Sequence, residues 1–179
     1  MVPAGIAEET REGESPEALT ERLAFEKATH VASRLGADES TEAIVLGSDT
    51  IVVRDAAVLG KPRDPAHARE LLGSLVGREH RVVTAVAVGR AGATQRADWQ
   101  VFSVSSRVTM HPASATDIER YVATGEPLDK AGAYAYQGEG RRFVRAVEGS
   151  ETNVIGLPIG ETLAVLERFG IVPEPMEPR

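Results

Sequence analysis

The sequence predicts an α/β fold, and three observations carry that expectation. Two runs rich in β-branched residues, 43–53 (AIVLGSDTIVV) and 81–88 (RVVTAVAV), read as strands buried on both faces, the kind found in sheets with helices packed on them. Two segments with helical apolar spacing and N-terminal caps, 16 to about 35 and 65 to about 77, accompany those strands. Finally, 42% of the 179 residues are hydrophobic, enough to build one core of domain size, and residues 1–179 are expected to form a single domain.

Along the chain, Ser15 caps a helix from Pro16 to about Leu35, with Glu17 in its first turn and Gly36 placed to end it. Leu19, Leu23, Val31 and Leu35 share one side of this helix, and Lys27 lies within that arc. Two readings of Lys27 stand: its stem packs on the core while the ammonium reaches water, or the cation points into a site. In 43–53, the triplets Ile44-Val45-Leu46 and Ile51-Val52-Val53 flank Gly47-Ser48-Asp49-Thr50, so Asp49 is expected at a turn or at an exposed strand end. A hairpin through Arg54–Ala57 leads to Val58-Leu59, then to the loop Gly60-Lys61-Pro62. Asp64 and Pro65 open a helix carrying Ala68, Leu71, Leu72 and Leu75 that ends near Gly77.

After the strand at 81–88, a long strand from about Gln95 to Met110 alternates Phe102, Val104, Ser106, Val108 and Met110 with mostly polar neighbours. Ser114 and Asp117 form a capping-box pattern for a helix closed by Gly125. Glu126–Gly140 is rich in glycine and lacks periodicity, a loop long enough to carry function. Phe143–Val147 reads as a short strand, Leu157-Pro158 opens a last helix, and 171–179 reads as a frayed tail.

Composition excludes several functions. The formal net charge of −7 has the wrong sign for coating a nucleic-acid polymer. With no cysteine, disulfides, thiolate zinc sites and cysteine nucleophiles are all ruled out. No apolar run approaches membrane-spanning length and the first residues are acidic, which points to a cytoplasmic protein without a membrane partner. His30, His67, His80 and His111 show no metal-ligand spacing, and neither a P-loop nor a G-x-S-x-G elbow occurs. What remains is Asp49, the lysines 27 and 61, and Gln137 in a loop where Tyr134 or Tyr136 is available to stack on a base. A carboxylate to activate water or hold a divalent metal, cations against phosphate, and an amide that pairs with a base edge together describe a phosphate-ester site.

The strings VLGSDTIVV, LGKPRD, YVATGEPLDKAGAYAYQGEG and NVIGLP resemble, in order from about Val2 to Gly170, the Maf family of nucleoside triphosphate pyrophosphatases. The resemblance implies an elongated mixed β-sheet with flanking helices, related to the inosine-triphosphatase-like enzymes, in two lobes around a cleft. It also implies hydrolysis of a nucleoside triphosphate to the monophosphate and pyrophosphate, a divalent cation (Mg or Mn), and a homodimer. By resemblance Asp49 is the proton acceptor, Thr50 and Gln137 bear on substrate choice, and Lys27 and Lys61 face phosphate. Glu8 falls near the acidic residue on the metal side. Gln137 in YAYQG resembles the branch acting on dTTP and UTP, whereas the branch acting on 7-methyl-GTP tends to carry Glu there. The family's S-x-S-P-R-R phosphate-binding motif has no counterpart, since MVPAGIAEE aligns after it. The expectation is therefore a missing N-terminal strand and motif, and weak activity of the chain as it stands. A non-catalytic nucleotide-binding protein of the same fold is the alternative.

Overall fold

The structure is a computed structural model that describes residues 10–35, 43–93 and 95–172. Glu8, the proposed stop at Gly36 and most of the expected tail, 173–179, lie outside the described residues. Helix α1 spans Pro16–Leu35, β1 Ile44–Arg54, β2 Ala57–Leu59, α2 Pro65–Leu75, β3 Glu79–Arg90 and β4 Gln100–Met110. Helix α3 (Ala115–Ala123), strand β5 (Val144–Glu148) and helices α4 (Glu151–Ile155) and α5 (Ile159–Arg168) follow.

The helix ends obey local chemistry. Ser15 Oγ accepts from the Ala18 amide at 3.1 Å, satisfying a donor that the first turn of α1 leaves open. Asp64 caps α2 through the His67 amide at 2.8 Å, and Ser114 with Asp117 closes a reciprocal capping box on α3. Gly125 follows α3 in the left-handed region, where a side chain would be strained. The short helix α4 was not anticipated; five residues are too few to show a helical period.

The five strands run in the order β2-β1-β3-β4-β5, and all four pairings are antiparallel, so the mixed character implied by resemblance is not seen among the described residues. Strand β1 runs unbroken through Gly47–Thr50, with Asp49 opposite Ala85 and Thr50 opposite Thr84. Asp49 is therefore neither at a turn nor at a strand end. The reason is tertiary: a strand of period two places Asp49 on the face covered by α1, where Lys27 meets it.

That alternation divides the core. On the α1 face, Leu19 and Leu23 pack with Ile51, Val53 and Val83, while Ala24, Ala28 and Ala32 pack with Val45, Ala85 and Trp99. On the other face Val52, Val82, Val108 and Met110 meet Leu72, Leu75 and Tyr121 of α2 and α3. Each large apolar side chain buried here contributes about 1.5–3 kcal/mol relative to exposure. A polar layer ties α4 to the same face: Thr84 Oγ1 donates to the Asn153 carbonyl at 2.8 Å, and Asn153 Nδ2 donates to the Val82 carbonyl and to Ser106 Oγ. Strand β2 pairs only with Val52–Arg54 of β1, so no strand lies beyond Ile44–Ile51 among the described residues. A cleft opens along that edge.

Candidate functional site

The cleft has a volume of about 480 Å³ and is walled by α1, the middle of β1, the loop after β2 and the loop 129–137. Lys27, Asp49, Thr50, Lys61 and Gln137 all line it. These residues are spread over more than a hundred positions of sequence, and the topology brings them to one cavity.

Lys27 Nζ donates to Asp49 Oδ1 at 2.5 Å, with the aspartate side chain 7% exposed and the lysine 21%. The lysine is thus turned into the cleft rather than out to water. An ammonium has three donors, so one lysine can face a carboxylate and a phosphate oxygen together. The pair depends on the close approach of α1 to β1, which Gly47 permits two residues before Asp49.

Thr50 points to the opposite face of the sheet from Asp49. Its hydroxyl lies 2.9 Å from Thr84 Oγ1, so it belongs to the polar layer under α4 as well as to the cleft wall. Lys61 is exposed on the loop after β2, which is joined to the far wall where Gly132 N donates to the Gly60 carbonyl at 3.1 Å. Gln137 is exposed on the opposite wall. Tyr134 and Tyr136 line the cleft as well; Tyr134 is buried, and its hydroxyl lies 2.8 Å from His80 Nε2. Tyr136 is also largely buried, with the Arg141 guanidinium 4.9 Å from its ring centroid.

Two charged cleft residues were missed by sequence reasoning, Asp129 and Lys130. Lys130 Nζ bonds Asp129 Oδ1 at 2.7 Å, and that ammonium, with Lys61 adding to it, holds the Asp129 carboxyl below its ordinary range. Their signal was the LDK triplet inside the glycine-rich stretch, which lacks any period that would have placed it. Three lysines stand against two aspartates, so the described lining carries a positive balance in a chain whose net charge is −7. A lysine-lined cleft with one deeply placed carboxylate and an amide at its rim suits a phosphorylated ligand with a polar ring.

Such a fold and cleft define a nucleotide-handling α/β protein. The chain belongs to the Maf family, described as Maf-like protein, whose pattern matches residues 1–169. It is 48% identical over 168 residues to a protein of Myxococcus xanthus, covering 94% of this chain and 80% of the relative. It is 45% identical over 173 residues to one from Syntrophotalea carbinolica, covering 96% of this chain and 76% of the relative. A Salmonella typhimurium protein is 48% identical over 169 residues, with 94% and 81% covered. All three relatives carry the name dTTP/UTP pyrophosphatase.

Proposed function

We propose that this protein hydrolyses a pyrimidine nucleoside triphosphate, dTTP or UTP, to the monophosphate and pyrophosphate. The observation that carries the reading is the Lys27–Asp49 pair set in a lysine-lined cleft, in a chain whose relatives are named for that reaction.

In the reaction, a water oxygen forms a bond to the α-phosphorus while the bridging bond to the β-phosphate breaks. Pyrophosphate leaves with the electron pair of that bond. Asp49 accepts the proton of the attacking water, and Lys27 holds the carboxylate in place through its hydrogen bond. Lys27, Lys61 and Lys130 neutralise charge on the phosphate chain, which grows on the leaving group as the bond breaks. Gln137 offers a donor and an acceptor to the base edge, matching the paired acceptor and donor of uracil or thymine.

The donor set fits a hard cation. The described lining supplies carboxylate oxygens from Asp49 and Asp129 and neither imidazole nor sulfur, as suits Mg²⁺ or Mn²⁺. No group of three candidate ligands occurs among the described residues. Mg²⁺ is commonly bound by one or two carboxylates plus substrate phosphates, and Asp49 is the residue that would hold it, with Glu8 as a second ligand by resemblance. Such an ion supplies charge stabilisation to the phosphoryl oxygens.

The test is pyrophosphate release from dTTP, UTP, dATP, dCTP and 7-methyl-GTP with Mg²⁺ or Mn²⁺. Release from dTTP and UTP above the others supports the reading. Preference for 7-methyl-GTP moves the protein to the other branch, and binding without release makes it a non-catalytic nucleotide-binding protein. No helix of the described residues is long and apolar enough to cross a membrane. A cytoplasmic homodimer that engages no nucleic-acid polymer completes the proposal, with light scattering to test the assembly.

A further inference from the structure

Gln137 sits on a loop held on both sides by one tyrosine and one carboxylate. Tyr121, fully buried in α3, accepts from the Ala135 amide at 3.0 Å and donates its hydroxyl proton to Glu126 Oε1 at 2.8 Å. The same Oε1 accepts from the Gly140 amide at 3.0 Å, and Oε2 accepts from the Glu139 amide at 3.0 Å. Amides before and after Gln137 are thereby tied to one hydrogen-bonded unit. Gly138 is fitted to it as well: at φ +148 a side chain would be strained, and a Cβ would lie 2.6 Å from Glu126 Oε2.

The arrangement is chemically matched. An ionised carboxylate is an acceptor only, with about four lone-pair sites, and Glu126 meets three donors. Burial works against its charge, yet the amides of Glu139 and Gly140, the Tyr121 hydroxyl and the nearby Lys130 hold the carboxyl below its ordinary range. Neither Glu126 nor Tyr121 is among the residues lining the cleft. The loop between α3 and β5 has only short 3₁₀ turns of its own, so its geometry has to be imposed from outside. A side chain that reads a base needs to be held within about 0.5 Å of its working position.

We propose that Glu126 and Tyr121 are positioning residues that fix the Gln137 amide at the rim of the cleft, and that selection of the pyrimidine base depends on them although they touch no part of the nucleotide. This rests on the reading of Gln137 given above.

The experiment uses the full chain and reads the ratio of Kd values for the non-hydrolysable α,β-imido analogues of dUTP and dATP, so that turnover is not required. Glu126→Gln keeps the shape and converts one acceptor oxygen to a donor. Tyr121→Phe keeps the ring against Phe143 and removes the hydroxyl, which guards against a folding defect in the first variant. Both are expected to cut the preference for the pyrimidine analogue about tenfold, with the purine analogue changed by less than about twofold. Amide hydrogen exchange at Glu139 and Gly140 should accelerate in Glu126→Gln, and neither change should alter the ratio further in a Gln137→Ala background. If Gln137→Ala alters the ratio and the two clamp variants do not, the proposal is overturned while the role of Gln137 stands. If Gln137→Ala itself leaves the ratio unchanged, the reading of Gln137 fails and takes the proposal with it. An equal loss of affinity for both analogues in both clamp variants marks a merely structural role and overturns it too.

Discussion

Gly47 of β1 lies directly beneath Ala28 of α1: a Cβ on Gly47 would stand 2.7 Å from the Ala28 Cβ and 2.7 Å from the Ala24 carbonyl oxygen. The absent side chain sets the distance between helix and strand, and hence the reach of Lys27 to Asp49. Gly47→Ala has to push α1 away, because two of the three nearest atoms are backbone and cannot rotate aside. We expect a loss of about 1–3 kcal/mol, the usual cost of overpacking. Turnover should fall further than stability accounts for, since a displacement of about 1 Å at a reacting group costs up to about a hundredfold. Urea denaturation and pyrophosphate release on the same preparation check both parts. Wild-type values for both would mean that the interface yields without moving the pair.

Asp49→Asn retains the size of the side chain and removes its charge and basicity. Pyrophosphate release should fall by about two to four orders of magnitude, the range for a positioned acid–base group. Nucleotide affinity should fall far less, because the lysines of the cleft remain. Stability should drop by less than the roughly 3–5 kcal/mol of a fully buried broken pair, since Lys27 keeps 21% of its side chain exposed. Full turnover in the Asn variant would remove Asp49 from the chemistry.

The parts legible in the sequence were those decided locally. The start of α1, the caps of α2 and α3 and the left-handed Gly125 follow from short-range rules, each legible in a few adjacent residues. The continuity of β1 was not legible, because Gly47-Ser48-Asp49-Thr50 looks like a break until α1 supplies Lys27 to one face and Thr84 meets Thr50 on the other. Lys27 itself fitted two readings equally well on a helical wheel, and only the register of β1 under α1 separates them. The clamp of Tyr121 and Glu126 on the loop was invisible, since its contacts are to backbone amides and leave no side-chain pattern.

Gln137→Glu replaces a donor-acceptor amide by an acceptor-only carboxylate. The imide N–H of uracil or thymine still finds an acceptor, but their carbonyl oxygens lose a donor and face a negative charge. The ratio of kcat/KM for dTTP over a guanine nucleotide should therefore fall, by about tenfold for one lost hydrogen bond and one unpaired acceptor. A substrate panel measured on both proteins checks this. An unchanged ranking would show that Gln137 is only a rim residue.

His80 gives the fold an acid sensitivity that can be located in pH. It is 3% exposed, its Nε2 is engaged with Tyr134, and its Nδ1 is buried without a hydrogen-bond partner. Burial lowers its pKa from 6.5 to about 4, so the native state keeps it neutral where the unfolded chain protonates it. Between those two values the unfolded state binds the extra proton, and stability falls as pH falls. The stabilisation is whole above pH 6.5 and is lost progressively down to about pH 4, amounting to about 3 kcal/mol at 1.36 kcal/mol per pKa unit. The lowered carboxylates, among them Glu14 at about 2 beside Arg22, act in the same direction but only as pH falls below their ordinary values of 3.8–4.5. The interval from pH 6.5 to 4.5 therefore belongs to His80 rather than to them. Urea denaturation across that interval should show a falling midpoint in the wild type. In His80→Gln, which retains an amide toward the Tyr134 hydroxyl and does not titrate, the slope should largely vanish. An equal slope in the variant would assign the sensitivity to other groups.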